Sequence, residues 1–341
     1  MDVLAPADCL DDFVCPACRS DGLIATGDAV TCAGCERRFP CRRGVVDFVL
    51  ADELDATGAR EHIANAVELD SAKAVRRKLR KSRTPSPMLL AQMRRSIRAA
   101  DRLMAGHDPS RTIVSLGSGF GFELPLLFER RSFARVYSSD LAWSSTALVP
   151  EVVHDLDGEL GLFAADFDHV PMAKRPDRIG FVFLALHHTE DPHASLARLL
   201  ERFDDLVLVE PLDNWFVSIL ARLGLARRIE YSGTRPRWLS VRRMRALARA
   251  RGFEIRMETW WEIPRDVLPR RLRRSRVAWW PLYAAVEAVS YVLRPLCFGS
   301  MAAIRFQSIE VARRAAGEGD ESARGAPARV GVLGEGDAVE P

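Results

Sequence analysis

The segment "IVSLGSGFGFELPLL", residues 113–127, constrains the fold more than any other part of the chain. An apolar, strand-like run ends at three alternate glycines, Gly117, Gly119 and Gly121, and a segment with helical character follows. Glycines placed directly after a strand let backbone amides approach a ligand, and the start of the next helix offers a positive end. The pattern therefore predicts a ligand-binding turn at the carboxyl end of a strand in an α/β sheet.

The glycine spacing differs from the dinucleotide-binding pattern G-x-G-x-x-G, in which the third glycine allows close packing of helix on strand. Phe122 stands at that third position, and the observed pattern is G-x-G-x-G. A positive helix end suits a carboxylate as well as a phosphate. The turn alone therefore does not identify the ligand.

From Arg111 onward, apolar runs alternate with helical patterns, notably over residues 194–203 and 240–251. Seven runs are strand-like: "TIVSL", "ARVYSSD", "GLFAAD", "DRIGFVFLAL", "DDLVLVE", "FEIRMETWW" and "SMAAIRF". Strands that alternate with helices through short links predict a mainly parallel sheet covered by helices on both faces.

Two acidic residues follow the next two predicted strands. Asp140 ends "VYSSD", at the right distance from the glycine turn to accept hydrogen bonds from two ribose hydroxyls. Asp166 ends the third strand, where it can accept the exocyclic amine of adenine, and Phe167 beside it can contact the ring. Either aspartate alone is also compatible with a helix N-cap, but three such features on three successive strands favour a nucleoside site.

The segments "VSLGSGFG", "YSSD", "ADFDHVPM", "FVFLALHHTEDP" and "LVLVEP" resemble class I S-adenosylmethionine (SAM)-dependent methyltransferases, in particular the group that includes ubiquinone- and menaquinone-biosynthesis methyltransferases. The resemblance covers residues 112–306. It implies a Rossmann-like seven-stranded sheet whose last strand is antiparallel, and SAM as the cofactor. Ser115 departs from the pattern, because many members carry an acid just before the glycine turn.

Six of the seven cysteines lie in the first 41 residues, and four of them form two C-x-x-C pairs, "CPAC" and "CAGC". Four thiolates at this spacing predict a tetrahedral Zn²⁺ site in a small ribbon, which folds on binding the metal. Residues 13–48 resemble zinc ribbons that are fused to, or partnered with, methyltransferases. Cys9, Cys41 and Cys297 fall outside the pattern, and the four predicted ligands are Cys15, Cys18, Cys32 and Cys35.

His187 and His188 follow the fourth predicted strand, at the edge of the sheet where ligands bind. Methyl transfer needs an aligned nucleophile, and for a hydroxyl, amine or acidic carbon it also benefits from a general base. Either histidine is a candidate base or substrate-orienting group; the alternative is that they shape the pocket or cap a helix. Glu210, after the fifth strand, is a candidate for substrate contact, for capping or for a local salt bridge.

Two insertions, residues 212–239 and 264–298, are rich in aromatic residues and leucine. Their composition suits a lid over an apolar acceptor, in which Trp279 or Tyr283 faces the substrate; ordinary helix packing is the alternative. Two basic segments, "KAVRRKLRKSR" and "RRLRRSR", are compatible with an RNA path, with anionic lipid headgroups or with solvated helix faces.

The sequence predicts four parts: a zinc ribbon (1–50), a helical connector (51–110), the methyltransferase domain (111–306) and a disordered tail (307–341). The apolar stretch 277–298 contains Glu287 and Arg294, which favours a packed helix over a membrane span. The N-terminus lacks a signal pattern. We expect a cytoplasmic protein, in contact at most with the membrane surface; the oligomeric state is left open.

The predicted function is SAM-dependent methyl transfer to a small or lipid-like metabolite. The main alternative is methylation of a ribosomal- or transfer-RNA base, with the zinc ribbon and basic segments binding RNA. A third hypothesis is a scaffold that has the fold but no activity. A net charge of +3 does not by itself imply a nucleic-acid partner.

Overall fold

The backbone of the chain is organised around one β-sheet. The computed structural model describes residues 1–68, 75, 79–80, 85–106, 108–213, 219, 222, 237–262, 275, 277–293 and 299–313. Five short strands come first: β1 (Asp2–Val3), β2 (Leu23–Thr26), β3 (Ala29–Cys32), β4 (Arg38–Arg42) and β5 (Val45–Asp47). Seven longer strands follow: β6 (Thr112–Leu116), β7 (Arg135–Asp140), β8 (Glu159–Ala164), β9 (Arg178–Phe183), β10 (Asp205–Pro211), β11 (Phe253–Trp260) and β12 (Met301–Ser308).

The described helices lie between these strands. They are α1 (Ala56–Glu68), α2 (Pro87–Leu103), α3 (Glu123–Phe128), α4 (Trp143–Thr146), α5 (Pro150–Val153), α6 (Pro192–Arg202), α7 (Val241–Ala250) and α8 (Trp280–Leu293). Two 3-10 helices cover Pro6–Asp12 and Leu186–His188. Among the described residues, none of the helices combines the length and the apolar character needed to cross a bilayer.

The seven longer strands are ordered β8-β7-β6-β9-β10-β12-β11. The pairs from β8 to β10 are parallel, whereas β12 runs antiparallel to both of its neighbours. Each of the seven predicted strand segments forms one of these strands. The prediction of a Rossmann-like α/β sheet whose last strand is antiparallel is therefore confirmed.

The sheet is buried on both faces, because apolar side chains on its central strands alternate between two cores. Leu206 and Leu208 of β10 lie in the core on one face, and Val207 and Val209 lie in the core on the other. Such doubly covered strands need nearly continuous apolar sequence. This requirement explains why the segment "DLVLVE" was recognisable as a strand.

Helix α2 forms part of the second core, although it belongs to the predicted connector. Ser86 caps it, since its side chain accepts a hydrogen bond from the N–H of Leu89 at 3.3 Å, and Pro87 occupies the first turn. Ile97 and Ala100 of α2 are buried in the same core as Ile113 of β6. The helix therefore covers the sheet rather than only linking two regions.

The cysteine-rich strands extend the same sheet. β5 pairs antiparallel with β4 and parallel with β8, so that Val46 lies opposite Phe163. The ring of Phe13 lies 5.3 Å from those of Phe48 and Phe163 and 5.4 Å from that of Tyr137. The N-terminal residues and the large sheet therefore share one aromatic core.

A buried ion cluster also joins these two regions. Asp12 is 6% exposed and accepts a hydrogen bond from Arg135 Nη1 at 2.8 Å. The hydroxyl of Tyr137 and the guanidinium of Arg178 donate to the same carboxylate. Burial alone raises the pKa of Asp12, but the Tyr137 hydrogen bond and the Arg178 charge outweigh it and hold the pKa below its usual value.

Several predicted features lie outside the described residues. They are Cys297, residues 314–341 of the predicted tail, and most of the basic segments 73–83 and 270–276. The first residues of the predicted tail, 307–313, are ordered, because β12 runs to Ser308 and helical backbone follows it. The insertion 212–239 is described only at its two ends and at residues 219 and 222.

Candidate functional site

The glycine turn that follows β6 has a left-handed backbone. Gly117, Gly119 and Gly121 have φ angles of +65°, +54° and +71°. Side chains rarely adopt such angles, which explains the glycine at each position. A Cβ added to Gly117 would lie 2.5 Å from the Cβ of Ala185, whereas a Cβ on Gly119 would meet no atom within 4 Å. Gly119 therefore borders open space.

That open space belongs to a cavity of about 420 Å³. Its lining includes Leu116 at the end of β6, Asp140 at the end of β7 and Ala165 just after β8. All three strands are parallel, so their carboxyl ends meet at one edge of the sheet. The cavity thus occupies the position that ligands take in open α/β sheets.

Asp140 is tied to the glycine turn. One oxygen of its carboxylate accepts the N–H of Gly119 at 2.9 Å, and the other accepts the N–H of Ala142 at 3.0 Å. Burial raises the pKa of Asp140. The side chain lines the cavity next to the turn, where a carboxylate can accept hydrogen bonds from hydroxyl groups of a ligand.

Asp166 and Phe167 lie on the adjacent loop and also line the cavity. Asp166 Oδ1 accepts the N–H groups of Asp168 at 2.7 Å and of His169 at 2.9 Å. The ring of Phe167 would lie 2.8 Å from a Cβ at Gly117, so it leans against the glycine turn. The structure therefore brings the predicted cofactor residues together around one cavity.

His169 joins Asp166 to the cysteine-rich region. Its Nδ1 lies 3.0 Å from both carboxylate oxygens of Asp166, and this interaction raises the pKa of His169. Its Nε2 lies 3.4 Å from the carboxylate of Glu53, which in turn accepts a hydrogen bond from Arg37 at 2.9 Å. A series of polar contacts thus connects Asp166, which lines the cavity, with Arg37, two positions after Cys35.

The cavity is acidic. The described residues around it include no lysine or arginine, and the basic side chains among them are His169 and His188. Seven carboxylate residues contribute to the lining: Glu53, Asp55, Glu61, Glu123, Asp140, Asp166 and Asp168. Such a lining favours a ligand that carries positive charge and disfavours a polyanion.

The two adjacent histidines have different surroundings. His188 lines the cavity, and its Nδ1 lies 3.6 Å from Glu61 Oε1 of α1. His187 is not among the lining residues; its Nδ1 lies 2.7 Å from Glu210 Oε2, and its ring centroid lies 4.2 Å from that of His188. Of the pair, His188 is therefore the one that borders the cavity.

Glu210 stabilises the backbone that precedes His188. It is fully buried, and its Oε1 accepts the N–H groups of Ala185 at 2.8 Å and Leu186 at 2.7 Å. These bonds fix the backbone that carries His188 into the cavity. The sequence left substrate contact, capping and a local salt bridge open for Glu210. In the structure its carboxylate accepts these two backbone N–H groups, as a capping residue does, and contacts His187.

The four predicted metal ligands converge. One sulfur atom from each of Cys15, Cys18, Cys32 and Cys35 lies within 4.8 Å of all the others. The Cys15–Cys35 and Cys18–Cys32 sulfur distances are 3.7 and 3.5 Å. A tetrahedral ion with Zn–S bonds of about 2.3 Å separates its sulfurs by roughly 3.8 Å. The donor set and its spacing therefore fit Zn²⁺.

Both cysteine pairs have the same backbone geometry. The residues that follow them, Arg19 and Glu36, are left-handed, with φ of +68° and +59°. Their N–H groups donate back to the carbonyls of Cys15 and Cys32 at 2.9 and 2.8 Å. This repeated turn points the sulfur atoms of each pair towards one centre.

The structure gives a packing contact to the two residues that were predicted to face an acceptor, Trp279 and Tyr283. Trp279 and Tyr283 are 6% and 8% exposed, and they pack against Met88 and Ala91 of α2. Neither lines the cavity, which α2 meets through other side chains, among them Met93. The aromatic spacing reflects packing of α8 on α2, because two bulky rings one helical turn apart cover a single apolar strip.

Glu61 and Glu123 are among the cavity residues that were not predicted from the sequence. Glu61 lies in α1, far from the motifs in sequence, and only the chain path brings it beside His188. Glu123 follows Gly121 by two residues, and Ser115 donates a hydrogen bond to its carboxylate at 2.8 Å. The sequence offered one indication that another acid takes this place, because Ser115 stands where the resemblance leads one to expect an acid.

No protein-family model matches the chain. No curated protein matches it in sequence either. Among solved structures, the chain is similar to magnesium protoporphyrin IX methyltransferase from Synechocystis PCC 6803 with bound SAH, at 15% identity and a TM-score of 0.45, over 74% of this chain and 100% of that one.

Two other solved structures are similar to a comparable degree. The YcgJ protein of Bacillus subtilis is 15% identical over 63% of this chain and 98% of its own, with a TM-score of 0.44. The complex between the Haloferax volcanii Trm112 methyltransferase activator and a putative methyltransferase contains a chain that is 16% identical, over 75% of this chain and 99% of that one, with a TM-score of 0.43.

Proposed function

We propose that this protein is a SAM-dependent methyltransferase. One observation carries the proposal: the glycine turn, Asp140 and the Asp166–Phe167 pair border one cavity at the carboxyl ends of β6, β7 and β8. A ligand that consists of a nucleoside and an amino acid has a matching series of groups. SAM supplies an already activated methyl group, so the protein has mainly to bind, align and exclude water.

The residues present fit this cofactor. Asp140 would accept hydrogen bonds from the ribose hydroxyls, and Asp166 would accept the adenine amine, while Phe167 contacts the ring. Gly119 leaves room for the backbone to approach the ligand. The acidic lining also suits SAM, which carries a sulfonium and an ammonium group.

His188 is the proposed acceptor-side residue. It borders the cavity, and the Glu210 carboxylate holds the preceding backbone in place. Its imidazole can orient the acceptor or take a proton from it. His187 is assigned a positioning role, because its ring is bound to Glu210 and lies against His188.

We propose a small or lipid-like metabolite as the acceptor. The support is the lining of the cavity, which has seven carboxylate residues and no described lysine or arginine. An RNA phosphate backbone would meet unfavourable charge beside such a lining. The RNA hypothesis depends on basic segments that lie mostly outside the described residues, and no described feature favours it.

We further propose that Cys15, Cys18, Cys32 and Cys35 hold a structural Zn²⁺. Four protein ligands complete a tetrahedral shell and leave no open position for a substrate, as is typical of structural sites. When bound, the metal supplies folding free energy to a segment that is too short to build a core alone. Its role would be to brace the loop that carries Asp166.

Calorimetric titration with SAM and with its demethylated product, S-adenosylhomocysteine (SAH), tests the cofactor assignment. We expect one binding site per chain for each. Transfer of labelled methyl groups from SAM to fractionated cell extract, with and without ribonuclease, then tests the acceptor class. Labelling that resists ribonuclease supports a metabolite, labelling that ribonuclease removes supports RNA, and the absence of SAM binding would leave the scaffold hypothesis.

A further inference from the structure

Glu123 occupies an unusual position in the cavity. It is 3% exposed, it lines the cavity, and its Oε1 accepts a hydrogen bond from Ser115 Oγ at 2.8 Å. Ser115 is itself fully buried at the end of β6. The serine therefore takes the place just before the glycine turn, and the acid reaches that place from α3.

No described lysine, arginine or histidine forms an ion pair with Glu123, and none of the described lining residues is a lysine or arginine. A buried carboxylate without a cation is costly to ionise. Accordingly, burial raises the pKa of Glu123 to about 7. A ligand cation at this position would remove that cost.

Three acids lie at the ends of three neighbouring strands, and Glu123 is one of them. Glu123 is bonded to the end of β6, Asp140 ends β7, and Asp166 follows β8. These strands are adjacent and parallel, and neighbouring strands lie about 4.8 Å apart. A nucleoside whose adenine lies at Asp166 and whose ribose lies at Asp140 extends its remaining end towards Glu123.

We infer that the Glu123 carboxylate binds the α-ammonium group at the amino-acid end of SAM, and that it does so in place of an acid at position 115. The inference rests on the proposed function. It assigns the third acid of the series to the third part of the ligand, and Ser115 becomes the residue that orients it.

The test is a thermodynamic cycle between Glu123 and the ligand amino group. Two ligands, SAH and an analogue that lacks only its α-amino group, are titrated calorimetrically against the parent protein and against Glu123→Gln. Glutamine keeps the size and an acceptor oxygen for Ser115 but removes the charge. We expect the parent to prefer SAH by roughly tenfold to hundredfold, the range for a charged hydrogen bond, and Glu123→Gln to erase that preference.

The outcomes separate three cases. A parent that binds neither ligand refutes the proposed function. A parent that binds both, with a preference for SAH that survives in Glu123→Gln, overturns the inference alone. If Glu123→Gln lowers the affinity for both ligands by the same factor, the inference is also overturned, because that result indicates a structural role for Glu123. The matched control Glu123→Asp keeps the charge and must keep the preference.

If Glu123→Gln does not fold, as judged by circular dichroism, the double variant Ser115→Asp, Glu123→Gln takes its place. It restores one carboxylate at the end of β6. Discrimination between the two ligands comparable to that of the parent supports the inference, and equal affinity for them overturns it.

Discussion

Asp140 accepts a hydrogen bond from the backbone N–H of Gly119 at 2.9 Å, so the acid that ends β7 and the turn that follows β6 form one unit. The positions of the turn and the carboxylate depend on each other. The left-handed φ of Gly119 directs its N–H towards the carboxylate, and the carboxylate stabilises the turn beside the cavity. Substitutions at either residue therefore act on turn geometry as well as on ligand contact.

The first prediction concerns Gly119→Val. The backbone has φ of +54°, which costs a residue with a Cβ about 1–2 kcal/mol of stability. The added side chain also enters open space that the ligand needs, so we expect SAM affinity to fall by roughly 1–3 kcal/mol or more. Gly106→Val is the control, because Gly106 has φ of +79° with open space around it but does not line the cavity. Thermal melts and SAM titration of both variants check the prediction; equal SAM affinity in the two would contradict it.

The second prediction concerns pH. Burial raises the pKa of Glu123 from 4.5 to about 7, with repulsion from Asp140 as a further contribution. A carboxyl group whose folded pKa is raised favours the folded state below its unfolded pKa, and that stability is lost as the pH rises from about 4.5 through 7. We expect the ligand-free protein to lose about 3 kcal/mol over this window from Glu123, a loss that Glu123→Gln removes. Denaturant unfolding at several pH values measures it, and parallel curves for the two proteins would argue against it.

SAM affinity should move in the opposite direction. If the ammonium group of SAM binds the ionised form of Glu123, affinity rises as the pH increases through 7, and binding releases a proton below that pH. Calorimetry in buffers of different ionisation enthalpy detects that proton. The Glu123→Gln variant provides the baseline.

The sequence was sufficient for the sheet because each of its longer strands carries a local signal. The run "TIVSL" is apolar and strand-like, and β6 covers the same residues, Thr112–Leu116. The glycine turn, Asp140 and Asp166 are also local, since each directly follows a strand and parallel strands bring their ends to one edge. Short-range patterns thus determine this part of the site.

Other parts of the site depend on contacts that are distant in sequence. Glu61 reaches His188 only through the path of α1, and no spacing rule predicts it. His187 and His188 are neighbours in a single 3-10 turn, so the sequence does not tell which ring faces the cavity; the buried Glu210 draws His187 away. The aromatic residues at α8 were compatible with two interpretations from the sequence, because such residues suit a lid and a packed interface equally well.

The third prediction tests the packing role of α8. Trp279 and Tyr283 lie 5.3 Å apart by ring centroid and contact Met88 of α2. We expect the double variant Trp279→Ala, Tyr283→Ala to lose about 3 kcal/mol or more of unfolding free energy while SAM affinity per folded protein stays unchanged. Val292→Ala is the control, since Val292 is 70% exposed and should change stability little. Loss of methyl transfer at unchanged stability and unchanged SAM affinity would instead support the predicted contact with the acceptor.

The last prediction couples the metal to the cofactor. The loop that carries Asp166 is held by the cysteine-rich region: Arg19 Nη1 donates to the carbonyl of Val170 at 3.0 Å, and the N–H of Val14 donates to that of Pro171 at 2.6 Å. If the four cysteines hold Zn²⁺ as proposed, Cys18→Ser should release it and, with it, these two supports. We expect loss of bound zinc, a lower melting temperature for the whole protein and weaker SAH binding, because the ribbon and the sheet share one core.

Cys41→Ser is the matched control, since Cys41 lies in the same region but outside the four-sulfur cluster. Metal content by mass spectrometry, calorimetric titration with SAH and hydrogen exchange across residues 166–172 measure the three effects. In Cys18→Ser, exchange in this loop should accelerate, whereas in Cys41→Ser it should stay near that of the parent. The contrary outcome is a zinc-free Cys18→Ser protein whose SAH affinity and loop protection both equal those of the parent. In that case the metal would stabilise the ribbon independently of the cofactor site. The shared aromatic core of Phe13 and Phe163 argues against that outcome, because disorder in one region exposes apolar surface in the other.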